Sequence, residues 1–324
     1  MSSERKQEIE AKFIVEDHST AKELGVAQAL SDLYSLGPVQ EGEYVDHYLD
    51  TADYRLLRRG YSLRLRAVGE KRLVTLKSLK VRDQAQAHSR LEIEEAIAAD
   101  FAPHGLSNLP KSIRATLRRA AGKDPQWRVL CTIEQERLKR PVFKVAAAAQ
   151  PIAELSLDLV AIFAGERTPE STLVDLVAEV EVELLPGFEA AEIEPIVQAL
   201  GSRPDLRAGA TSKLEYALAM VSRSQPITPE MAVSEACRLI WRVQLTEMLL
   251  NEFGVRTSQD IEYVHAMRVA VRRMRSAGLL FGGFFQRSAV RTYLKELRKL
   301  TRQLGAVRDL DVLERHRASF VHRP

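Results

Sequence analysis

The chain has 324 residues, 45% of them apolar and 28% charged, with a net charge of +3; that length predicts two domains, and the balance is a globular protein's, not a disordered one's. No run of about 18 apolar residues occurs, which argues against a membrane helix. "MSSERKQEIE" lacks the apolar stretch of a secretory signal, and Cys131 and Cys237 lie far apart without metal-ligand company, so a reducing, cytoplasmic setting is expected.

Up to about residue 220 the chain alternates strand-like stretches with a few helical ones. Strands are predicted at 7–15, 44–49, 60–68, 71–79, 88–96, 128–138, 140–147, 152–163 and 176–185, and helices at 19–35, 110–121, 188–201 and 211–222. So many strands with so few helices predict a barrel or a large curled antiparallel sheet. "SRSQPITPE" reads as a linker, placing boundaries at 1–222, 223–229 and 230–324. Beyond it, helices are expected near 229–253, 258–281 and 287–304, with a short fourth from about 307, the material of a helical bundle.

The strands carry their charges on one face. In "QEIEAKFIV", Glu8, Glu10 and Lys12 alternate with Ile9, Ala11 and Phe13, and alternate side chains of a strand point to opposite faces. "YSLRLRA" aligns Arg64 with Arg66, "LVTLKS" aligns Thr75 with Lys77, and "SRLEIEE" aligns Arg90, Glu92 and Glu94. "AELSLDL" aligns Glu154, Ser156 and Asp158, and "AEVEVELL" aligns Glu179, Glu181 and Glu183. An open sheet would turn such faces to water, but a face selected for solubility mixes both signs along each strand. Here some strands are rich in carboxylates and others in Arg or Lys. If the sheet closes with these faces inward, burying them dry would cost several kcal/mol per ion, so the lumen must be wet or filled. A polyanion carrying divalent cations would pair with both signs: guanidinium forks suit phosphate oxygens, and paired carboxylates suit Mg²⁺ or Mn²⁺.

These residues resemble the CYTH domains, the triphosphate tunnel metalloenzymes. "EIEAK" is similar to their Glu-x-Glu-x-Lys signature, and "YLDT", "GYSLRLR", "TLK", "RLEIE", "LSLD", "EVEVEL" and "SKLEYAL" follow in the family's order over roughly residues 5 to 222. The resemblance implies a closed eight-stranded antiparallel tunnel with flanking helices, an α+β fold. It implies that Glu8 and Glu10 bind a metal with Glu179 and Glu181 on the facing strand, and that Asp158 helps hold a second metal or the attacking water. It implies a basic grip of Lys12, Arg64, Arg66, Lys77, Arg90, Arg137 and Lys213, with Arg140 competing for the place of Arg137. Glu92 and Glu94 would orient lumen cations, and Glu183 would sit beyond the useful depth. The implied activity is metal-dependent hydrolysis of inorganic triphosphate, with Glu8, Glu10, Lys12 and Asp158 as the catalytic set. A nucleoside or thiamine triphosphatase, an adenylyl cyclase on the same tunnel, and a polyphosphate binder without activity are the alternatives.

From Ser224 onward the chain holds 17 Lys+Arg against 10 Asp+Glu, while the part before it holds 30 against 34. In "YVHAMRVAVRRMRSAGLLF", His265, Arg268, Arg272 and Arg275 fall at steps of 3, 4 and 3 on one helical face. Aromatic residues do not interleave with these arginines, which argues against a nucleic-acid surface. "VHAMRVAVRRMRS" and "LGAVRDLDVL" resemble the start of a CHAD domain, a helical module whose basic face implies polyphosphate binding. The resemblance covers roughly 228–324, about the first half of such a module, so an incomplete CHAD domain is expected.

Overall fold

A computed structural model describes residues 5–79, 82–84, 87–98, 101, 105–147, 150–209, 211–224, 226–257 and 261–321; side chains at 5–8, 18, 82–84, 87–91, 253, 257 and 306–321 lie outside that description. The chain divides into two compact units, Met1–Leu56 with Gly60–Ala217, and Leu57–Arg59 with Leu218–Pro324. No helix among the described residues is long and apolar enough to cross a membrane.

Among the described residues the first unit holds twelve strands: β1 (Arg5–Val15), β2 (Ala29–Ser31), β3 (Tyr34–Leu36), β4 (Gln40–Asp50), β5 (Tyr61–Val68), β6 (Lys71–Ser78), β7 (Arg82–Gln84), β8 (Ala87–Ile97), β9 (Arg128–Lys144), β10 (Ala153–Ala164), β11 (Leu173–Leu184) and β12 (Leu206–Ala208). Three helices, α1 (His18–Val26), α2 (Lys111–Ala121) and α3 (Glu194–Gly201), lie between them, and α4 (Lys213–Arg223) follows. The main pairings run β10-β11-β1-β8-β6-β5-β4-β9. Strand β9 pairs with β4 on one side and β10 on the other, both antiparallel, so the run of pairings returns to its start. Eight antiparallel strands thus form one ring.

The alternation in each strand decides what faces where. Ala11, Phe13 and Val15 of β1 pack with Leu155, Leu157, Val180 and Val182 on the outside of the ring, beneath Leu24 of α1 and Ile193, Ile196, Val197 and Leu200 in and around α3. A second cluster joins Leu63, Val74, Leu76 and Ile93 to Leu109, Ile113, Leu117, Ala120 and Ala121 in and beside α2. The apolar faces of the strands are therefore turned outward and roofed by helices, at roughly 25 cal/mol per Å² of apolar surface removed from water. The charged faces are left to the interior.

Several expectations differ. The helix expected at 19–35 ends at Val26, because Arg140 donates Nη1 to the carbonyls of Leu24, Gly25 and Ala27 and Nε to that of Gly37, capping the helix end from β9. The chain then forms β2 and β3. The strands expected at 128–138 and 140–147 are one strand, β9. It runs through Pro141 because its pairing with β4 ends at Lys139, while the Pro141 carbonyl still accepts from Gly37 N at 2.8 Å. Strand β11, expected across the lumen from β1, is its hydrogen-bonded neighbour, with Lys12 opposite Glu181.

The second unit contains α5 (Val233–Thr257), α6 (Ile261–Phe281) and α7 (Arg287–Val321). Helix α6 packs on both others. Val264, Met267, Val271 and Leu304 form the core, with Met248, Val255, Leu297 and Leu300 against it. Gly278 lets α7 approach closely, since a Cβ there would lie 2.9 Å from Leu294 Cδ2. The helix expected from 229 begins at Val233, after a turn in which Met231 N donates to Thr228 O. Helix α7 runs on past 304, where a separate fourth helix from about 307 was expected, so α5, α6 and α7 are the long helices of the described part.

Candidate active site

Register brings charged residues face to face inside the ring. Asp158 of β10 lies opposite both Arg137 of β9 and Glu179 of β11, Asp46 of β4 opposite Arg66 of β5, and Lys77 of β6 opposite Glu92 of β8. Cross-strand neighbours of this kind stand close enough to pair.

On the wall formed by β1, β9, β10 and β11, three carboxylates meet three cations. Lys12 Nζ is 2.7 Å from Glu179 Oε1. Lys213, the first residue of α4, reaches Asp158 at 2.9 Å and Glu179 at 3.0 Å, and also Glu181. Arg137 holds both oxygens of Asp158, with Nε to Oδ1 at 2.6 Å, and donates to Glu181 Oε2 at 3.0 Å. The residues before α4 fix Lys213: Ser212 N donates to Glu215 Oε2 at 2.8 Å, and Ser212 Oγ accepts from Glu215 N at 3.3 Å, a capping box. Gly209 donates its N–H to Lys12 O at 2.8 Å, and a Cβ there would lie 3.3 Å from Lys12 Cγ.

On the wall of β4, β5, β6 and β8, Arg66 makes a two-pronged bond to Asp46, with both distances 2.7 Å. Arg64 stands 3.5 Å from Asp46, 3.5 Å from Glu92 and 3.6 Å from Glu94. Lys77 is 3.5 Å from Glu10 and 3.9 Å from Glu92.

The ionisation follows from these contacts. Burial pushes the Glu181 carboxyl up, but Lys213, Arg137 and Lys12 outweigh it and hold the group well below the usual carboxylate range. Burial likewise opposes the charge on Lys213, yet Glu181, Asp158 and Glu179 raise its pKa well above an ordinary lysine's. Asp46 is pushed up by burial and drawn lower overall by Arg64 and Arg66. All three stay charged at neutral pH.

The two walls enclose a cavity of about 440 Å³, lined by Lys12, Arg64, Arg66, Lys77, Arg137, Lys139 and Lys213 and by Glu10, Glu92, Glu94, Glu181 and Glu183. Asp158 and Glu179 lie behind this lining, 3% and 1% exposed. Of the residues expected from sequence, the structure brings together Glu10, Lys12, Arg64, Arg66, Lys77, Arg137, Asp158, Glu179, Glu181 and Lys213. The side chains of Glu8 and Arg90 lie outside the described residues, though their backbones are register partners between β1 and β8. Arg140, the competitor for Arg137, points the other way and caps α1. Glu183 was expected beyond the useful depth, yet it lines the cavity.

Asp46, Gln135, Tyr44 and Lys139 were not picked out from sequence. Gln135 Nε2 donates to Asp46 at 2.7 Å, and the Tyr44 ring lies 4.9 Å from the Arg66 guanidinium and 5.6 Å from that of Arg137. The available signal was the alternation of Tyr44, Asp46 and Tyr48 along β4.

Asp158, Glu179 and Glu181 form an acidic cluster that could hold a metal, their oxygens lying within 4.8 Å of one another. The donor set is all hard oxygen, which suits Mg²⁺ or Mn²⁺. Every carboxylate of the cluster already carries a protein cation, so a bound metal ion would free Lys213 and Arg137 for an anion. In the helical unit, His265 and Arg272 are exposed and Arg268 and Arg275 half-buried along α6. None of the four has a carboxylate partner among the described residues.

Several solved structures are similar to this chain. One is HpAC1 from Hippeastrum, described as a candidate adenylyl cyclase with a dominant triphosphatase activity; it is 17% identical, the match covers 69% of this chain and 100% of that one, and the TM-score is 0.46. A candidate adenylate cyclase from Bacillus halodurans is 16% identical over 67% of this chain and 98% of its own, with a TM-score of 0.41. The PH1819 protein from Pyrococcus horikoshii is 15% identical over 64% and 98%, with a TM-score of 0.36. No curated protein matches the chain. The CYTH domain matches residues 6–215 and the CHAD domain residues 239–324. The chain therefore belongs to the CYTH family, with a CHAD domain following the tunnel.

Proposed function

We propose that this protein hydrolyses inorganic triphosphate to diphosphate and phosphate inside the ring, with Mg²⁺ or Mn²⁺. The observation that carries the reading is the cavity lining: seven Lys and Arg side chains interleaved with five Glu around one space. A bare polyanion would have to break ion pairs already made, whereas one that arrives with divalent cations satisfies both signs at once. Among the described lining residues the one aromatic is Tyr48, 6% exposed. It presents no open ring face on which a nucleobase could stack, which favours an inorganic substrate over a nucleotide.

Asp158, Glu179 and Glu181 would hold the metal, with Glu10 and Glu8 from β1 as further donors. When bound, the ion would neutralise phosphate charge and lower the pKa of a water for attack on the terminal phosphorus. Arg64, Arg66 and Lys77 would grip phosphate oxygens from one wall, and Lys12, Arg137 and Lys213 from the other. In phosphoryl transfer the protein's share is positioning and charge stabilisation, and these six cations supply it. Water oxygen joins the terminal phosphorus, its bond to the bridging oxygen breaks, and diphosphate leaves with the electron pair. The α6 stripe would attract polyphosphate to the helical domain.

Steady-state turnover with Mg²⁺ and with Mn²⁺, on tripolyphosphate, ATP and thiamine triphosphate side by side, tests this. Tripolyphosphate is expected to give the highest kcat/KM. A preference for ATP with cyclic AMP as product would sink the reading.

A further inference from the structure

Asp46 lies beneath the arginine pair and outside the cavity. Its side chain is fully buried, and it is not among the groups that line the space. Arg66 spends its Nε and Nη2 on it, and buried Gln135 adds a third bond. Arg66 is thereby fixed along one edge of its guanidinium fork, and Nη1 is left for the cavity. Arg64 is held differently. Its closest bonded contact is Nη2 to Thr75 Oγ1 at 3.3 Å, its carboxylate contacts are 3.5 Å or longer, and its buried Nε has no hydrogen-bond partner among the described residues. Arg64 is thus the guanidinium with unspent donors.

The carboxylates near these arginines are of two kinds. Glu92 and Glu94 line the cavity, where a bound cation can draw them away. Asp46 is sealed from it and stays. We propose that Asp46 is a positioning residue for the phosphate grip, a permanent counter-charge that holds Arg64 and Arg66 side by side and leaves their outward N–H groups to the substrate. Two guanidiniums so close repel one another, and an anion between their inner edges removes that repulsion before any ligand arrives. The favoured ionisation of Asp46 agrees with this role. The inference rests on the triphosphate reading of the cavity and adds a residue that touches no substrate.

Asp46→Asn keeps the shape and removes the charge. Wild-type protein and variant are compared by steady-state kinetics on tripolyphosphate, with thermal unfolding to establish folding. The variant's KM is expected to rise about tenfold while kcat stays within about threefold, because the grip is misplaced and the attack is not. A merely structural role would lower kcat with the folded fraction and leave KM alone. Should Asp46→Asn not fold, Asp46→Glu, which moves the carboxylate by one methylene, carries the same test, with KM expected to rise about threefold. An unchanged KM in a folded variant overturns the inference while wild-type turnover leaves the triphosphate reading standing. Absence of turnover by the wild type overturns both.

Discussion

Lys213 of the ring touches three carboxylates, whereas His265, Arg268, Arg272 and Arg275 of α6 touch none among the described residues. Both surfaces are basic, but they hold charge in different ways. In the ring, antiparallel register sets Lys12, Arg66, Lys77 and Arg137 each against an acid on the next strand, so those side chains are paired before any ligand binds. Entry would then require a partner that replaces what it breaks, which would make the lumen selective. On α6, exposed His265 and Arg272 and half-buried Arg268 and Arg275 stand on one face without carboxylate partners among the described residues, so a polyanion would relieve their repulsion and salt would weaken that attraction. Cationic composition alone does not distinguish the two; pairing does.

Removing one lumen acid should have the largest effect. Glu181→Gln takes away a candidate metal ligand and a partner of both Lys213 and Arg137. Tripolyphosphate turnover is expected to fall by about a hundredfold or more, while a polyphosphate-binding measurement on the α6 face stays unchanged. Turnover within a few-fold of wild type would contradict the metal assignment.

A second effect is on stability against pH. The folded-state pKa values of Glu181 and Asp46 lie below their ordinary values of 4.5 and 3.8. Groups depressed in this way stabilise the fold fully above those ordinary values, and the stabilisation is lost as pH falls through the folded-state values. Urea midpoints should therefore be level from neutral pH down to about 5 and then fall. Asp46→Asn should flatten the acid limb. Variants at His265, Arg268, Arg272 or Arg275 of α6 should not, since none of these has a carboxylate partner among the described residues.

The smallest effect belongs to the helical face. Arg272→Glu is expected to weaken polyphosphate binding by about tenfold at low salt, to reduce the salt dependence, and to leave tripolyphosphate turnover unchanged. Calorimetric titration across a salt series, paired with the activity assay, checks all three. A change in turnover would mean that the two surfaces do not act separately.

The inward charge of the strands was legible because period-two alternation in "EIEAK", "LRLR" and "EVEVEL" puts every charge on one face, whatever the neighbours. Which strands adjoin was not legible, since closure brings β1 beside β11 through contacts far apart in sequence, such as Lys12 opposite Glu181, 169 residues on. The end of α1 was hidden for a similar reason: its cap, Arg140, comes from a distant strand. A break was expected at Lys139, between 128–138 and 140–147, because nothing local tells that β9 stays paired to β10 where its pairing with β4 ends. Asp46 escaped notice as one acid among aromatic residues, and its importance lies in what Arg66, Arg64 and Gln135 do around it.

On the proposed function, the two charged walls grip one polyanion between them. A crystal structure of the protein soaked with tripolyphosphate and Mn²⁺ tests it most directly. Phosphate density is expected between Arg64 and Arg66 on one side and Lys12 and Lys213 on the other, with Mn²⁺ against Glu181. Phosphate bound only outside the ring, with the lumen ion pairs intact, would contradict it.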